Sequence, residues 1–143
     1  MARVTVEAPQ RWLHRVRLTV RVADVNYGGH LGNDRVLGLA HEARVRWLAG
    51  LGLSEADVGG PGLIMADAAL VFRREAFLGD ELEVAIGAAE VRRSGFDLIY
   101  GMTRLRDGAE IALVKTGMVC FDYGARKVAR IPESFARLLG AGE

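Results

Sequence analysis

The sequence predicts an α+β domain on three observations. One long stretch carries apolar residues at intervals of three and four, several segments alternate apolar and polar residues, and glycine-rich or Asn/Asp-rich turns separate them. The 143 residues are 50% hydrophobic and 26% charged, which suits a single compact core and excludes a disordered chain. From His14 to Val22, residues Val16, Leu18, Val20 and Val22 share one face and Arg15, Arg17, Thr19 and Arg21 the other, the pattern of a half-buried strand. A turned loop follows over Asp24-Val25-Asn26-Tyr27-Gly28-Gly29-His30. From Asn33 to Gly50, the residues Val36, Leu37, Ala40, Ala43, Trp47 and Leu48 form a helical stripe, with Asn33 as N-cap and Asp34 in the first turn. Gly50 and Gly52 supply the stop signal, and Leu53 to Gly62 reads as a connecting loop with a short turn at Ser54–Asp57.

The remainder reads as strands. Leu63 to Arg73 is apolar at both parities, which predicts cover on both faces. Leu82, Val84 and Ile86 alternate with Glu81, Glu83 and Ala85; the Arg93-Ser94-Gly95 turn then leads to Phe96, Leu98, Tyr100 and Met102, a hairpin. Asp107-Gly108 turns the chain into a second two-faced run, Ile111 to Phe121, and Pro132 opens a short helix through Leu139. The order is strand, long helix, then four consecutive antiparallel strands, with no internal repeat or linker, so residues 1–143 form one domain.

Charge and composition narrow the functional classes. With 19 basic and 18 acidic side chains there is no broad cationic field, which argues against nucleic acid or an acidic membrane as the main partner. Met1 to Arg17 holds no continuous hydrophobic stretch, so neither a signal peptide nor a membrane span is expected. A single cysteine, Cys120, has no partner for a disulfide and sits in an apolar strand as core; a cytoplasmic setting fits. His14, His30 and His41 lack metal-ligand spacing, so no metal is expected, and neither a Gly-x-Ser-x-Gly elbow nor a Walker-type loop is present.

The stretch Asp24 to Asn33 concentrates polar chemistry in ten positions. Unpaired amides at a helix start stabilise a developing oxyanion, and glycines admit a ligand close to the backbone. An alternative assigns Asp24 and Asn33 to turn and cap duties and His30 to a hydrogen-bonded spacer. Asp67 interrupts an apolar strand between Ala66 and Ala68; a carboxylate buried there needs a partner, so it is either functional or one half of an ion pair, with Arg44 or another cation opposite. Glu42, beside Arg44 on the helix, reads as structural.

The residues Val20-Arg21-Val22-Ala23-Asp24-Val25-Asn26-Tyr27-Gly28-Gly29-His30-Leu31-Gly32-Asn33, followed by Glu42-Ala43-Arg44, resemble the opening of hotdog-fold acyl-CoA thioesterases of the hydroxybenzoyl-CoA thioesterase type. Those carry Asp-Thr-Asp-x-x-Gly-His-x-x-Asn after the first strand and Glu-Ala-Arg on the helix. Phe77-Leu78-Gly79-Asp80-Glu81-Leu82-Glu83-Val84 is similar to their Gly-Asp-x-Leu-x-Val segment. The resemblance implies a five-stranded antiparallel sheet wrapped around the long helix. It also implies a homodimer, or a dimer of dimers forming a homotetramer, with the site at the subunit interface. No cofactor is implied beyond the coenzyme A of the substrate. The family's catalytic Asp corresponds to Asn26, which cannot act as a base.

Three accounts follow from that departure. Asp24 supplies the carboxylate; Asp67 supplies it, with Glu42 behind; or the chain binds acyl thioesters without efficient hydrolysis. In the hydrolytic accounts Asn26 orients water or the thioester carbonyl, the Asn33 amide holds the oxyanion, and His30 helps place substrate or water. Tyr27, Gly28 and Gly29 line the substrate, while Arg73 and Arg74 meet coenzyme A phosphates. A hotdog enoyl-CoA hydratase is a further reading, because Asp24-Val25-Asn26 followed by His30 resembles that family's Asp-x-Asn-Pro-x-His, with the proline missing and the histidine one residue late. The acyl group, and coenzyme A against acyl carrier protein, stay open at this level.

Overall fold

A computed structural model describes residues 3–140. Met1, Ala2 and residues 141–143, which belong to the expected domain, lie outside the described residues. The elements are β1 (His14–Thr19), α1 (Asn33–Gly50), β2 (Gly62–Phe72), β3 (Glu81–Ala89), β4 (Gly95–Arg104), β5 (Glu110–Asp122), β6 (Lys127–Val128) and α2 (Glu133–Leu138). The strands form one antiparallel sheet in the order β1-β3-β4-β5-β2, and β6 pairs with the end of β5. The sheet therefore has six strands where five were expected. The sixth is two residues long and shows no periodicity in sequence. It forms because Asp122 Oδ1 accepts the Ala125 N–H at 2.9 Å and turns the chain back along β5.

The inner face of the sheet carries Val84, Ile86, Phe96, Leu98, Tyr100, Met102, Val114 and Met118, all buried. Against them α1 buries Val36, Leu39, Ala40, Ala43, Trp47 and Leu48, the predicted stripe with Leu39 in place of the half-buried Leu37. Each large apolar side chain removed from water here contributes about 1.5–3 kcal/mol, which explains why the helix docks on this face. α2 closes one end of the core, with Phe135 in contact with both Trp47 and Phe96. The outer face is crossed by the N-terminal segment, and Trp12 lies over Gly101, where a Cβ would meet the indole at 3.0 Å.

Three local expectations change. β1 ends at Thr19, and Val22, expected on the buried face, is exposed, because Val22–Asp24 winds into a 3-10 turn that breaks the alternation. The N-cap of α1 is Gly32 in extended conformation, with no side-chain cap bond, and Asn33 is the first helical residue. β2 is an edge strand with Met65 and Phe72 exposed, so a single chain does not cover both its faces.

One polar cluster lies inside the core. Arg44 donates from Nη1 to the Tyr100 hydroxyl at 2.9 Å and from Nη2 to Glu55 Oε2 at 3.4 Å, and the hydroxyls of Tyr100 and Thr116 lie 2.8 Å apart. Burial raises the pKa of Tyr100 above its ordinary value and keeps the phenol neutral. Cys120 is buried as expected of a core residue, and burial pushes its thiol up to about 11.

Candidate active site

The loop between β1 and α1 is built by its own side chains. Asn26 Oδ1 accepts the N–H groups of Gly28 at 3.1 Å and His30 at 3.3 Å, while the Asn26 N–H donates to the His30 carbonyl at 2.9 Å. Gly29 occupies the left-handed region at φ 76°, a conformation that favours glycine. At Gly28 a Cβ would meet the His30 ring at 2.8 Å, so that position admits little else.

This loop is zipped to the segment before β3. Leu31 donates to the Ala76 carbonyl at 2.8 Å, Leu78 donates to the Gly29 carbonyl at 3.3 Å, and His30 and Phe77 form a bridge with their ring centroids 5.0 Å apart. The zipper brings His30 Nδ1 to 3.0 Å from Glu75 Oε2. Glu75 was not foreseen in the sequence. It stands in Arg73-Arg74-Glu75, a charge run that reads locally as solvated, and only the distant pairing of residues 29–31 with 76–78 reveals it.

Asp24 is buried and turned away from this pair. Its Oδ2 accepts the Arg21 backbone N–H at 2.9 Å and Arg21 Nε at 3.2 Å, and Oδ1 accepts Arg21 Nη2 at 3.3 Å. Burial alone would raise its pKa, but the Arg21 bonds outweigh that and hold the carboxyl below the usual range. Since Asp24 pairs with Arg21 and His30 with Glu75, the Asp–His pair of the hydratase reading is not assembled.

Asp67 follows an irregularity in β2 between Met65 and Asp67, which puts it opposite Gly117 on the outer face, away from α1. There it accepts Lys115 Nζ at 2.6 Å and the Gly117 N–H at 3.1 Å, and its side chain is 63% exposed. The Lys115 ammonium holds its carboxyl below the usual range. The sequence expectation of a costly buried carboxylate therefore gives way to an exposed, paired one; its cation is Lys115 and not Arg44. Glu42 pairs with Arg46 at 2.7 Å. Tyr27 is fully exposed.

The N-terminus of α1 faces a cavity of about 180 Å³ lined by Leu31, Asn33, Val36, Phe72, Arg73, Arg74, Glu75, Ala76 and Ile111. The backbone N–H groups of Asn33 and Asp34 have no acceptor among the described residues, a consequence of the missing side-chain cap. These donors and the positive end of the helix macrodipole favour negative charge at this spot. Beside it a second, open space of about 530 Å³ is lined by Arg73, Arg74, Asp107, Gly108, Ala109 and Glu110. Arg73 reaches Glu110 at 3.4 Å, and Arg74 has no ion-pair partner among the described residues.

A larger space of about 940 Å³ lies on the outer face beneath residues 5–11 and contains Asp97 and Lys115. Among the described residues no helix N-terminus lines it, so volume alone does not make it the site. Among the described residues no group of three or more His, Cys, Asp or Glu side chains is arranged to hold a metal ion. No helix among them is long and apolar enough to cross a membrane.

A long helix packed on an antiparallel sheet is the architecture of hotdog thioesterases. The family model of the Thioesterase-like superfamily matches residues 20–139, and the chain belongs to that superfamily. The curated proteins searched include no match to the chain. Among solved structures, a 1,4-dihydroxy-2-naphthoyl-CoA thioesterase from Synechocystis superposes with a TM-score of 0.80 at 24% identity, over 90% of this chain and 96% of that one. A gentisyl-coenzyme A thioesterase superposes with a TM-score of 0.77 at 18% identity, over 88% of this chain and 99% of that one. A hypothetical protein from Staphylococcus aureus, solved in complex with CoA, gives a TM-score of 0.80 at 17% identity, over 95% of this chain and 86% of that one. At these identities the likeness establishes the fold.

Proposed function

We propose that this chain hydrolyses an acyl-coenzyme A thioester to the free acid and coenzyme A. The observation that carries the proposal is the start of α1, where the Asn33 and Asp34 amides have no acceptor among the described residues and Asn33 lines a cavity with apolar walls at Leu31, Val36, Phe72 and Ile111. A thioester carbonyl seated there points its oxygen at the two N–H groups, which strengthen their hold as water attacks and the oxygen gains charge. Loss of one such preorganised donor costs on the order of 3 kcal/mol of transition-state stabilisation.

The acyl group takes the apolar walls of the cavity and the coenzyme A phosphates take the adjoining open space, where Arg74 offers a guanidinium with no ion-pair partner among the described residues and Arg73 a half-exposed one. Asn26 acts in this reading as a brace for the loop, since its carbonyl oxygen is already committed to Gly28 and His30. Asp24 fixes the entry to that loop through Arg21. A second copy of the chain along the unpaired edge of β2 covers Met65 and Phe72 and completes the site as a homodimer. The structural neighbours named for naphthoyl- and gentisyl-CoA support aromatic acyl groups as the first substrates to try.

Thiol release from a panel of aromatic and aliphatic acyl-CoAs tests the proposal, and no turnover above buffer on any of them would sink it. A non-catalytic acyl-thioester binder is the second reading, favoured by the neutral Asn26 and the sequestered Asp24. It predicts bound acyl-CoA that stays intact for hours.

A further inference from the structure

Hydrolysis by water needs a proton acceptor beside the attacking oxygen. Asn26 is neutral, Asp24 is buried under Arg21, and Asp67 lies on the far face of the sheet. Glu75 is the one carboxylate among the described residues that lines the cavity at the start of α1. We propose that Glu75 is the general base of this site and that His30 is its positioning residue. The inference rests on the thioesterase reading and adds the group that activates water.

The arrangement is built from both sides. Arg104, itself buried and held by Asp80 at 3.2 Å and Asp107 at 3.1 Å, donates to the Glu75 backbone carbonyl at 2.9 Å and fixes that residue's main chain. The His30 ring is fixed by its bridge and ring contact to Phe77 and by the close approach of Gly28. Its Nδ1 lies 3.0 Å from Glu75 Oε2, and Oε1 has no partner among the described residues. A carboxylate with one oxygen steered by an imidazole and the other open is suited to take a proton from water.

The reaction balances without a further reactant. Glu75 accepts a proton as the water oxygen bonds to the carbonyl carbon, and the oxyanion rests on the Asn33 and Asp34 amides. The C–S bond then breaks, and the coenzyme A thiolate recovers the proton from the Glu75 carboxyl group. The products are one acid and one thiol.

The test compares the native chain with Glu75→Gln, Glu75→Ala, His30→Gln and His30→Ala on an acyl-CoA that the native chain hydrolyses. Glu75 is exposed, so its variants retain the native melting transition, which circular dichroism checks. Glu75→Gln is expected to lower kcat by about 100-fold or more with KM changed less than about threefold, the signature of a lost general base. Added formate is expected to restore part of the turnover of Glu75→Ala, a rescue that a purely structural carboxylate would not show. His30→Ala is expected to lower kcat by about tenfold, with His30→Gln, which keeps a side-chain donor, closer to native. Native-like kcat in Glu75→Gln overturns this inference while the thioesterase reading stands; absence of turnover in the native chain overturns both.

Discussion

Asn26 gives the sharpest test of how the loop is held. Replacing it with Ala removes the acceptor for two backbone N–H groups, at 3.1 Å from Gly28 and 3.3 Å from His30, in an exposed loop. A net hydrogen bond is worth about 0.5–1.5 kcal/mol, and both bonds fall at the low end because water replaces the acceptor. Asn26→Ala should therefore cost about 1 kcal/mol in urea denaturation, a drop of roughly 3 °C in melting temperature for a chain of this size. Its effect on turnover should be larger than its effect on stability. The loop carries His30, and displacement of a positioning group by about 1 Å can cost as much as 100-fold in rate. Asn26→Asp keeps an oxygen in the same place and should hold stability within about 0.5 kcal/mol and kcat within about threefold. Thiol release and amide exchange at Gly28 and His30 give the readout. An Asn26→Ala variant with native turnover and native exchange at those amides would refute the bracing role. A tenfold or greater gain of turnover in Asn26→Asp would show instead that the position lacks a needed charge.

Two further outcomes are specific. Tyr100→Phe strands the Arg44 Nη1 donor and the Thr116 hydroxyl in a place where Arg44 Nε already has no hydrogen-bond partner among the described residues, so it should destabilise by about 2–3 kcal/mol; adding Thr116→Val should cost much less than its effect alone, as measured by a denaturation cycle. Asp107, held down to about 2 by its bond to Arg104 and then by the Ala109 N–H, has a folded value below its unfolded one. Its contribution is thus present above about pH 4 and lost as pH falls towards 2, and Asp107→Asn should flatten the stability profile over that window in acid titrations followed by circular dichroism.

Much of the fold was legible because local pattern and tertiary burial agree. The spacing of Val36, Ala40, Ala43 and Trp47 could bury one face only as a helix, and Gly50 and Gly52 end it as read, Gly52 taking a φ of 75°. Misreadings arose where one residue changes register. The 3-10 turn at Val22–Asp24 put Val22 in solvent, and the irregularity before Asp67 moved that side chain to the outer face. Asn33 looked like a cap because Asn caps helices well, yet Gly32 takes the position and leaves the amides free. At the site, the Asp24 to Asn33 loop was visible as a polar cluster. Glu75 was not, because its side chain reaches His30 only through the long-range backbone pairing of residues 29–31 with 76–78, which no local pattern encodes.

The central claim is that water cleaves a thioester on this chain. The most direct measurement is turnover of an aromatic acyl-CoA in oxygen-18 water, with free coenzyme A and free acid quantified together. Hydrolysis predicts equal amounts of the two products and one heavy oxygen in each newly formed carboxyl group. Acyl-CoA recovered intact from a bound complex, with no labelled acid above the buffer control, would contradict it.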